Sequence, residues 1–254
     1  MRSQLLSQVR NWMLAFLYPK PLLGFIYLPR YIKNWVAYNK MSPSEPIRFM
    51  DAHPCLADWR PSTPFDPHYL FQGAWLARHL QKMESARHFD VGSSVMMVSV
   101  LSAVAKTVFV DFRPLNVRLT GLFSIAGNIT CLPFKSNSIK SLSSLHVIEH
   151  IGLGRYGDHL DPEGSIKAAK ELERVLAPGG MLYLSLPVGR QRVCFNAHRI
   201  ISPTQVLGMF AELDLHAFSF VDDEGNYHEK AKPEYAANCS YGCGMYVFRK
   251  SGSC

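Results

Sequence analysis

Two groups of polar residues follow short apolar runs that have the composition of β-strands. In the first group, Asp90, Gly92 and Ser94 follow one run, Asp111 ends the next, and Asn128 lies beyond a third. In an open α/β sheet, ligands bind outside the carboxyl ends of the strands. These residues are therefore candidates for a ligand-binding edge.

The chemistry that each position offers differs. Gly92 lets the backbone approach a ligand closely, and a carboxylate at Asp111 can accept hydrogen bonds from both hydroxyls of a ribose. Asn128, with Ile129 beside it, can hydrogen-bond the edge of an adenine. The alternative is that Asp111 is an exposed loop residue with no ligand.

The second group contains side chains that can transfer protons. His146, Glu149 and His150 cluster after a predicted strand, and His198 lies in a predicted loop that follows another strand. Histidine titrates in the range useful for a general base, and His198 is the first choice for a base on the substrate side of the site. The alternative for each position is a purely structural role.

The cysteines give a weaker signal. Six cysteines are scattered along the chain without the dense spacing of a secreted disulfide scaffold, which suits a reducing cytoplasm. Cys239 and Cys243 are close enough for a metal pair, but no second pair lies at zinc-finger spacing. The sequence therefore predicts no metal site.

The elements that must position these residues begin at Asp66, where helical patterns alternate with short apolar runs. The predicted helices cover Tyr69 to Met83, Met96 to Ala105, Glu163 to Leu176 and Pro203 to Leu213. The predicted strands cover His88 to Val91, Val108 to Val110, Arg118 to Ser124, Ser141 to Val147, Met181 to Leu186, Leu215 to Val221 and Met245 to Phe248. This order predicts an α/β fold of three layers, whose mostly parallel sheet ends in an antiparallel edge hairpin.

The first forty residues have a different character. They contain no Asp or Glu, and two helical stretches, Leu5 to Tyr18 and Leu22 to Val36, are separated by prolines. Neither stretch reaches the roughly 20 apolar residues that span a bilayer. Two alternatives stay open: Trp12, Phe16, Phe25, Tyr27 and Trp35 lie in an anionic membrane interface, or they dock onto protein. The predicted division is 1–64 and 65–254.

The net charge of +7 favours anionic partners. No aromatic and basic recognition pattern accompanies it, so nucleic acid is not favoured. Arg155 and Arg190 either steer an anionic acceptor such as a sugar nucleotide or are solvated loop charges. We expect a cytoplasmic protein, for which a peripheral membrane contact through residues 1–40 is one of the two alternatives given above.

With Leu176-Ala177-Pro178-Gly179-Gly180 before a further strand, the ordered strand ends resemble class I S-adenosylmethionine-dependent methyltransferases over roughly Tyr69 to Lys250. The resemblance implies a Rossmann-like, seven-stranded sheet and S-adenosylmethionine as cofactor. It also implies Asp90 and Gly92 near the methionine moiety, Asp111 on the ribose, and Asn128 with Ile129 near the adenine. Ser94 can cap the following helix and donate to a carboxylate of the cofactor.

Two segments, 143–158 and 195–199, together with Asp66-Pro67-His68-Tyr69, resemble more narrowly a branch associated with bacterial surface-polysaccharide genes and with nematode relatives. This implies O-methylation of a small or glycan-linked acceptor. One departure stands against it: where the family continues Gly-x-Gly-x-Gly, the chain has Ser94 and Met96. Bulkier side chains there favour the alternative, a non-catalytic scaffold module at a membrane or in a glycan-assembly complex.

Overall fold

A computed structural model describes residues 21–41, 44–45, 47–82 and 87–252, without the side chains of 21–25. The chain divides into two compact units between Phe65 and Asp66. The helix predicted at Leu5 to Tyr18 lies outside the described residues.

The first unit contains helix α1, Pro21–Lys40, which includes the predicted helix at 22–36 and continues to Lys40. The guanidinium of Arg30 lies 4.4 Å from the ring centre of Trp59 and donates to the carbonyl oxygen of Leu56 at 3.3 Å. A cation over an aromatic ring is a stabilising contact, so it ties α1 to the segment after it. Among the described residues, no helix is both long and apolar enough to cross a membrane.

The second unit holds the predicted alternation of strands and helices. Its strands are β1 His88–Val91, β2 Thr107–Asp111, β3 Leu122–Ala126, β4 Ile139–Leu145, β5 Leu176–Val188, β6 Arg192–Cys194, β7 His198–Ile200, β8 Leu213–Val221, β9 Tyr227–His228 and β10 Gly242–Lys250. Its helices are α2 Pro67–Leu80, α3 Val95–Leu101, α4 Gly164–Val175 and α5 Pro203–Met209.

The main sheet has the order β3-β2-β1-β4-β5-β10-β8-β9, and β6 pairs with β7 in a separate hairpin. Strands β1 to β5 are parallel, whereas β10 is antiparallel to both β5 and β8. The predicted α/β class is confirmed. The sheet has eight strands rather than seven because β9 adds a short antiparallel edge to β8.

Apolar side chains project from both faces of the sheet. Helices pack on each face, so the domain has three layers. On β5, Leu182 and Leu184 join a buried cluster with Leu172 of α4. Tyr183, between them, joins a different cluster with Trp75 of α2. Because successive side chains of a strand point to opposite faces, α4 and α2 cover opposite sides of the sheet.

Several predicted boundaries were wrong. Strand β4 ends at Leu145 instead of Val147, because His146 has a φ of 54°, a left-handed conformation that no strand accommodates. Strand β3 begins at Leu122 rather than Arg118, because Gly121, at a φ of 82°, turns the chain just before it. Helix α3 ends at Leu101, four residues before the predicted Ala105.

Candidate functional site

The predicted ligand-binding edge forms in the predicted order. Val91 of β1 lies beside Val110 of β2, and Asp111 lies beside Ala126 of β3. Parallel strands in this register bring their carboxyl ends together. Gly92, Asp111 and Asn128 therefore occupy neighbouring strand ends.

Asp90 organises the turn after β1 from inside the protein. Its side chain is fully buried, and it accepts hydrogen bonds from the backbone N–H and the hydroxyl of Ser93 at 3.1 and 2.7 Å. The hydroxyl of Ser143 donates to the same carboxylate. Asp90 is thus a positioning residue: its carboxylate points into the protein, not toward a ligand as the sequence suggested.

A chain of buried hydrogen bonds extends from Asp90 beneath the sheet. Because Ser143 donates to Asp90, its oxygen is left to accept from Nε2 of His88 at 2.9 Å. Nδ1 of His88 lies 2.8 Å from the hydroxyl of Ser141. Burial lowers the pKa of His88 to about 3 and raises that of Asp90 to about 6, against the opposing effect of the serine hydrogen bonds. A neutral imidazole therefore links the serines.

Gly92 is required by the backbone at this turn. Its φ is 72°, and a Cβ added there would lie 2.9 Å from Cγ1 of Val147. The left-handed conformation and the close side chain both exclude larger residues. The turn between β1 and α3 can form this way only with glycine.

The other predicted cofactor residues are engaged differently. Asp111 accepts the backbone N–H of Arg113 through Oδ1 at 2.7 Å. The amide oxygen of Asn128 accepts both the N–H and the hydroxyl of Thr130, so its amide nitrogen is the group left for a ligand. The Ile129 side chain is buried in the core, so its backbone is the part left to approach a ligand.

A cleft of about 650 Å³ opens at the carboxyl ends of β1 and β4. The sheet order reverses direction between these strands, and such a switch point is the usual ligand site of an open α/β sheet. Its volume lies within the usual range for small-molecule sites. The cleft is lined by Asp66, His68, Tyr69, Gly92, Ser93, Ser94, Leu145, His146, Glu149, His150, Arg155, Tyr156, Asn196, Ala197, His198 and Tyr241.

The departures from the glycine-rich pattern affect the cleft little. Met96 is 77% exposed and does not line it. Ser94 does line it, at the N-cap position of α3, but its side chain makes no capping hydrogen bond, which leaves the hydroxyl available. The bulk of Met96 therefore lies outside this cleft.

Four of the lining residues are the predicted proton-transfer candidates, and three of them meet directly. Glu149, which is fully buried, has Oε1 at 3.0 Å from Nδ1 of His146 and 3.7 Å from Nε2 of His150. The second ring nitrogen of His146, Nε2, lies 3.4 Å from the sulfur of Cys243. His146 is thus held between a carboxylate and a thiol.

His198 stands apart from that cluster, on the cleft wall. It begins β7, which pairs with β6 across a turn where Asn196 has a φ of 60°. The predicted loop is therefore a hairpin, because Asn tolerates the left-handed conformation that a tight turn needs. The His198 ring lies 5.1 Å from that of Tyr241 and 6.4 Å from that of His150.

The pKa values of His198 and His146 are shifted in opposite directions. Burial lowers the pKa of His198, and His150, Arg155 and His146 lower it further while Glu149 opposes them. For His146, burial alone would lower the pKa, but the Cys243 sulfur and the Glu149 carboxylate outweigh it and raise the pKa well above the usual range. His198 is thus the more readily available neutral base.

Sequence reasoning missed two residues in roles that they have here. Tyr241 stacks on His68 at 5.1 Å, and burial raises its pKa to about 12. Cys243 was paired in sequence with Cys239, whereas in space it lies with His68 and His146. Only the pairing of β10 with β5 and β8 could have revealed either position, because both lie far along the chain from the cleft's other residues.

Known protein families match part of this sequence, and solved structures share its fold. Residues 77–184 match the family described as a methyltransferase domain. A comparison with curated protein sequences gave no match.

Three solved structures illustrate the fold. They are the N-methyltransferase NodS from Bradyrhizobium japonicum in complex with S-adenosyl-L-homocysteine (15% identity, TM-score 0.51, 76% of this chain and 91% of that one), the [4+2]-cyclase SpnF (15%, 0.52, 70% and 82%), and a phosphoethanolamine N-methyltransferase 2 from Haemonchus contortus (12%, 0.51, 71% and 53%).

The fold is that of class I methyltransferases, and the sequence match of residues 77–184 to a methyltransferase domain supports S-adenosylmethionine as the cofactor. Residues 133–236 match a second family, described as "Caenorhabditis protein of unknown function, DUF268".

Proposed function

We propose that the protein transfers the methyl group of S-adenosylmethionine to a hydroxyl of a small or glycan-linked acceptor. The observation that carries this proposal is that the strand-end row, Gly92, Asp111 and Asn128, adjoins at Gly92 a cleft whose lining includes His198. The row has the chemistry to hold a nucleoside, and the wall supplies a base.

The residues of the row fit the cofactor. S-adenosylmethionine supplies an electrophilic methyl group on its sulfonium when bound. Asp111 uses one carboxylate oxygen for Arg113 and keeps the other for ribose hydroxyls. The amide nitrogen of Asn128 is left to donate to adenine, and the Gly92 turn opens toward the cleft for the amino-acid portion.

Methyl transfer to a hydroxyl also requires a base for that hydroxyl and a group that orients the acceptor. His198, neutral because its pKa is lowered, takes the proton from the acceptor hydroxyl as the new carbon–oxygen bond forms. Arg155 lines the same cleft and donates to the carbonyl oxygen of Ala197 at 3.1 Å. It is a cation placed for an anionic acceptor, whereas Arg190 is exposed and does not line the cleft.

The first test is calorimetric titration of the full chain with S-adenosylmethionine and S-adenosylhomocysteine. Asp111→Ala should weaken binding about tenfold or more because it removes the ribose acceptor. Asp214→Ala, an exposed carboxylate on β8, is the control and should leave the affinity unchanged. If folded wild-type protein binds neither ligand, the proposal fails and the scaffold function takes its place.

The acceptor class rests on the narrower family resemblance and on Arg155. Incubation of the protein with methyl-labelled cofactor and separate pools of nucleotide sugars, oligosaccharides and small phenols should label a glycan pool. Labelling confined to the phenols would contradict the glycan assignment while preserving methyl transfer.

We also propose that α1 contacts an anionic membrane surface. Ile32 and Val36, one turn apart, are exposed on a helix that also carries Lys33 and Lys40, a combination suited to a headgroup region. Full-length protein should co-sediment with vesicles containing phosphatidylserine, and removal of residues 1–40 should abolish this. Absence of co-sedimentation by the intact chain would favour docking of α1 onto protein.

A further inference from the structure

One cluster in the described chain has the composition of a metal site that the sequence did not predict. His68, His146 and Cys243 each offer one ligand atom, and these atoms all lie within 4.8 Å of one another. They come from the first turn of α2, the residue after β4, and β10. Three separate elements therefore deliver two imidazoles and a thiol to one point.

The distance between two of the ligand atoms agrees with that expected around a zinc ion. Zinc binds sulfur at about 2.3 Å and imidazole nitrogen at about 2.0 to 2.1 Å, which at a tetrahedral angle puts the two ligand atoms about 3.5 Å apart. The sulfur of Cys243 and Nε2 of His146 are 3.4 Å apart. The ligand atom of His68 lies within 4.8 Å of both.

The surroundings of both imidazoles are those of metal ligands. Metal-binding histidines characteristically donate their second ring N–H to a carboxylate or a backbone carbonyl. Nδ1 of His146 lies 3.0 Å from Oε1 of Glu149, and His68 makes a hydrogen bond to the backbone of Tyr241. The His146 ring is thereby oriented with its other nitrogen, Nε2, toward Cys243.

Glu149 is a second observation at the site, because the two imidazoles that face it, His146 and His150, both lie at its Oε1. Its side chain is 0% exposed, and within the described residues its Oε2 has no hydrogen-bond partner. A buried carboxylate is costly unless a positive charge compensates for it. A divalent ion bound by the Cys243 thiolate beside this carboxylate makes the cluster neutral.

A cysteine nucleophile is the competing use of the same side chains, since thiol, imidazole and carboxylate stand in line. Cys243 is 0% exposed and is not among the residues that line the cleft, whereas His146 and His68 are. A nucleophile must reach its substrate, but a metal ligand needs only to reach the metal. The position of Cys243 suits a ligand.

We propose that His68, His146 and Cys243 bind a zinc ion, with Glu149 orienting His146, and that the fourth coordination position faces the cleft. Three protein ligands with one open position are typical of catalytic zinc. The open position would take an oxygen of the acceptor and hold it near His198. This role rests on the proposed methyl transfer, whereas metal binding itself does not. The inference revises the sequence-based prediction of no metal.

Zinc uptake by the purified full chain tests the site. After removal of metal by a chelator and dialysis, wild-type protein titrated with Zn²⁺ against a chromophoric chelator should bind one equivalent. Cys243→Ser and His68→Gln should each weaken uptake about tenfold or more. The matched controls are Cys239→Ser, another buried cysteine outside the cluster, and His79→Gln on the same helix as His68. Both controls should bind as the wild type does.

Cobalt substitution in wild-type protein gives a measurement that does not depend on whether a variant folds. Co²⁺ should show the intense visible bands of tetrahedral coordination and a thiolate charge-transfer band in the near ultraviolet. Absence of both bands, or equal loss of zinc in Cys239→Ser and Cys243→Ser, would overturn the site. Titration with S-adenosylmethionine on the same preparations separates the proposals: metal uptake without cofactor binding keeps the site and removes the methyl transfer.

Discussion

Ser93 holds the carboxylate of Asp90 from two directions, with its backbone N–H donating to Oδ1 at 3.1 Å and its hydroxyl donating to Oδ2 at 2.7 Å. The Ser93 hydroxyl oxygen in turn accepts the backbone N–H of Leu145 at 2.9 Å. The ends of β1 and β4 are therefore joined through one buried carboxylate. Asp90 and Ser93 thus belong to one hydrogen-bonded group at the base of the cleft, which Ser93 and Leu145 line.

The first prediction concerns the pH dependence of stability. The pKa of Asp90 rises from 3.8 to about 6 on folding. Its contribution to stability is therefore fully present below about pH 3.8 and is lost as the pH rises through about 6, by on the order of 3 kcal/mol. In Asp90→Asn this loss should be absent. Urea unfolding between about pH 4 and 7 measures it.

The control for this experiment is Asp111→Asn, a carboxylate at the neighbouring strand end that is only partly buried. It should keep the wild-type decline. If Asp90→Asn declines with pH as steeply as the wild type, the buried carboxylate is not the group responsible.

The second prediction concerns the turn at Gly92. Gly92→Ala should lower the free energy of unfolding by about 1 to 3 kcal/mol, because a Cβ must adopt a φ of 72° and meet Val147 at 2.9 Å. Adding Val147→Ala should recover part of the loss, since it removes the contact but not the backbone strain. Thermal and urea unfolding of the four proteins in this cycle measure both effects.

Gly208→Ala is the matched control, because Gly208 lies in α5 with a negative φ and open space around its Cβ position. It should be neutral or slightly stabilising. A Gly92→Ala protein as stable as the wild type would mean that the turn is not constrained in this way.

The third prediction concerns Met96, which departs from the glycine-rich pattern. Because its side chain is 77% exposed and does not line the cleft, Met96→Gly should leave the affinity for S-adenosylmethionine within about twofold. Calorimetric titration of Met96→Gly and the wild type measures the two affinities, and Asp111→Ala is the positive control for weakened binding. A large gain in affinity on Met96→Gly would show that this side chain does obstruct the cofactor.

The fourth prediction concerns the base. Burial and the neighbouring His150 and Arg155 lower the pKa of His198 below its usual 6.5, so the ring should stay neutral as the pH falls to that value. An NMR titration of ring-labelled protein, with the resonance assigned by its absence in His198→Gln, gives the midpoint. A midpoint above the usual value would remove His198 as the neutral base.

The fold could be predicted from the sequence because its signals are local. The alternation of apolar runs with helical patterns fixed the layer order, and the residues that end the parallel strands, such as Asp111, followed from that order. Boundaries failed where a single residue turned the chain: a left-handed φ at His146 or Gly121 leaves no trace in hydrophobic periodicity.

The site was harder because its members converge from distant parts of the sequence. His146, Glu149 and His150 are neighbours in the chain and were found together. Cys243 reaches them only because β10 pairs with β5 and β8, and the burial of Asp90 depends on the helices over the sheet. Neither long-range pairing nor packing depth can be read from spacing alone.

The placement of β10 also bears on the order in which the domain is assembled. β10 lies between β8 and β5, so a growing chain that has been synthesised only as far as Tyr241 lacks the strand that joins β8 to the parallel sheet, and lacks Cys243 as well. Nascent chains of this kind expose unpaired strand edges. Cys243 should therefore reach His146 only after β10 has been synthesised and has paired with β5 and β8.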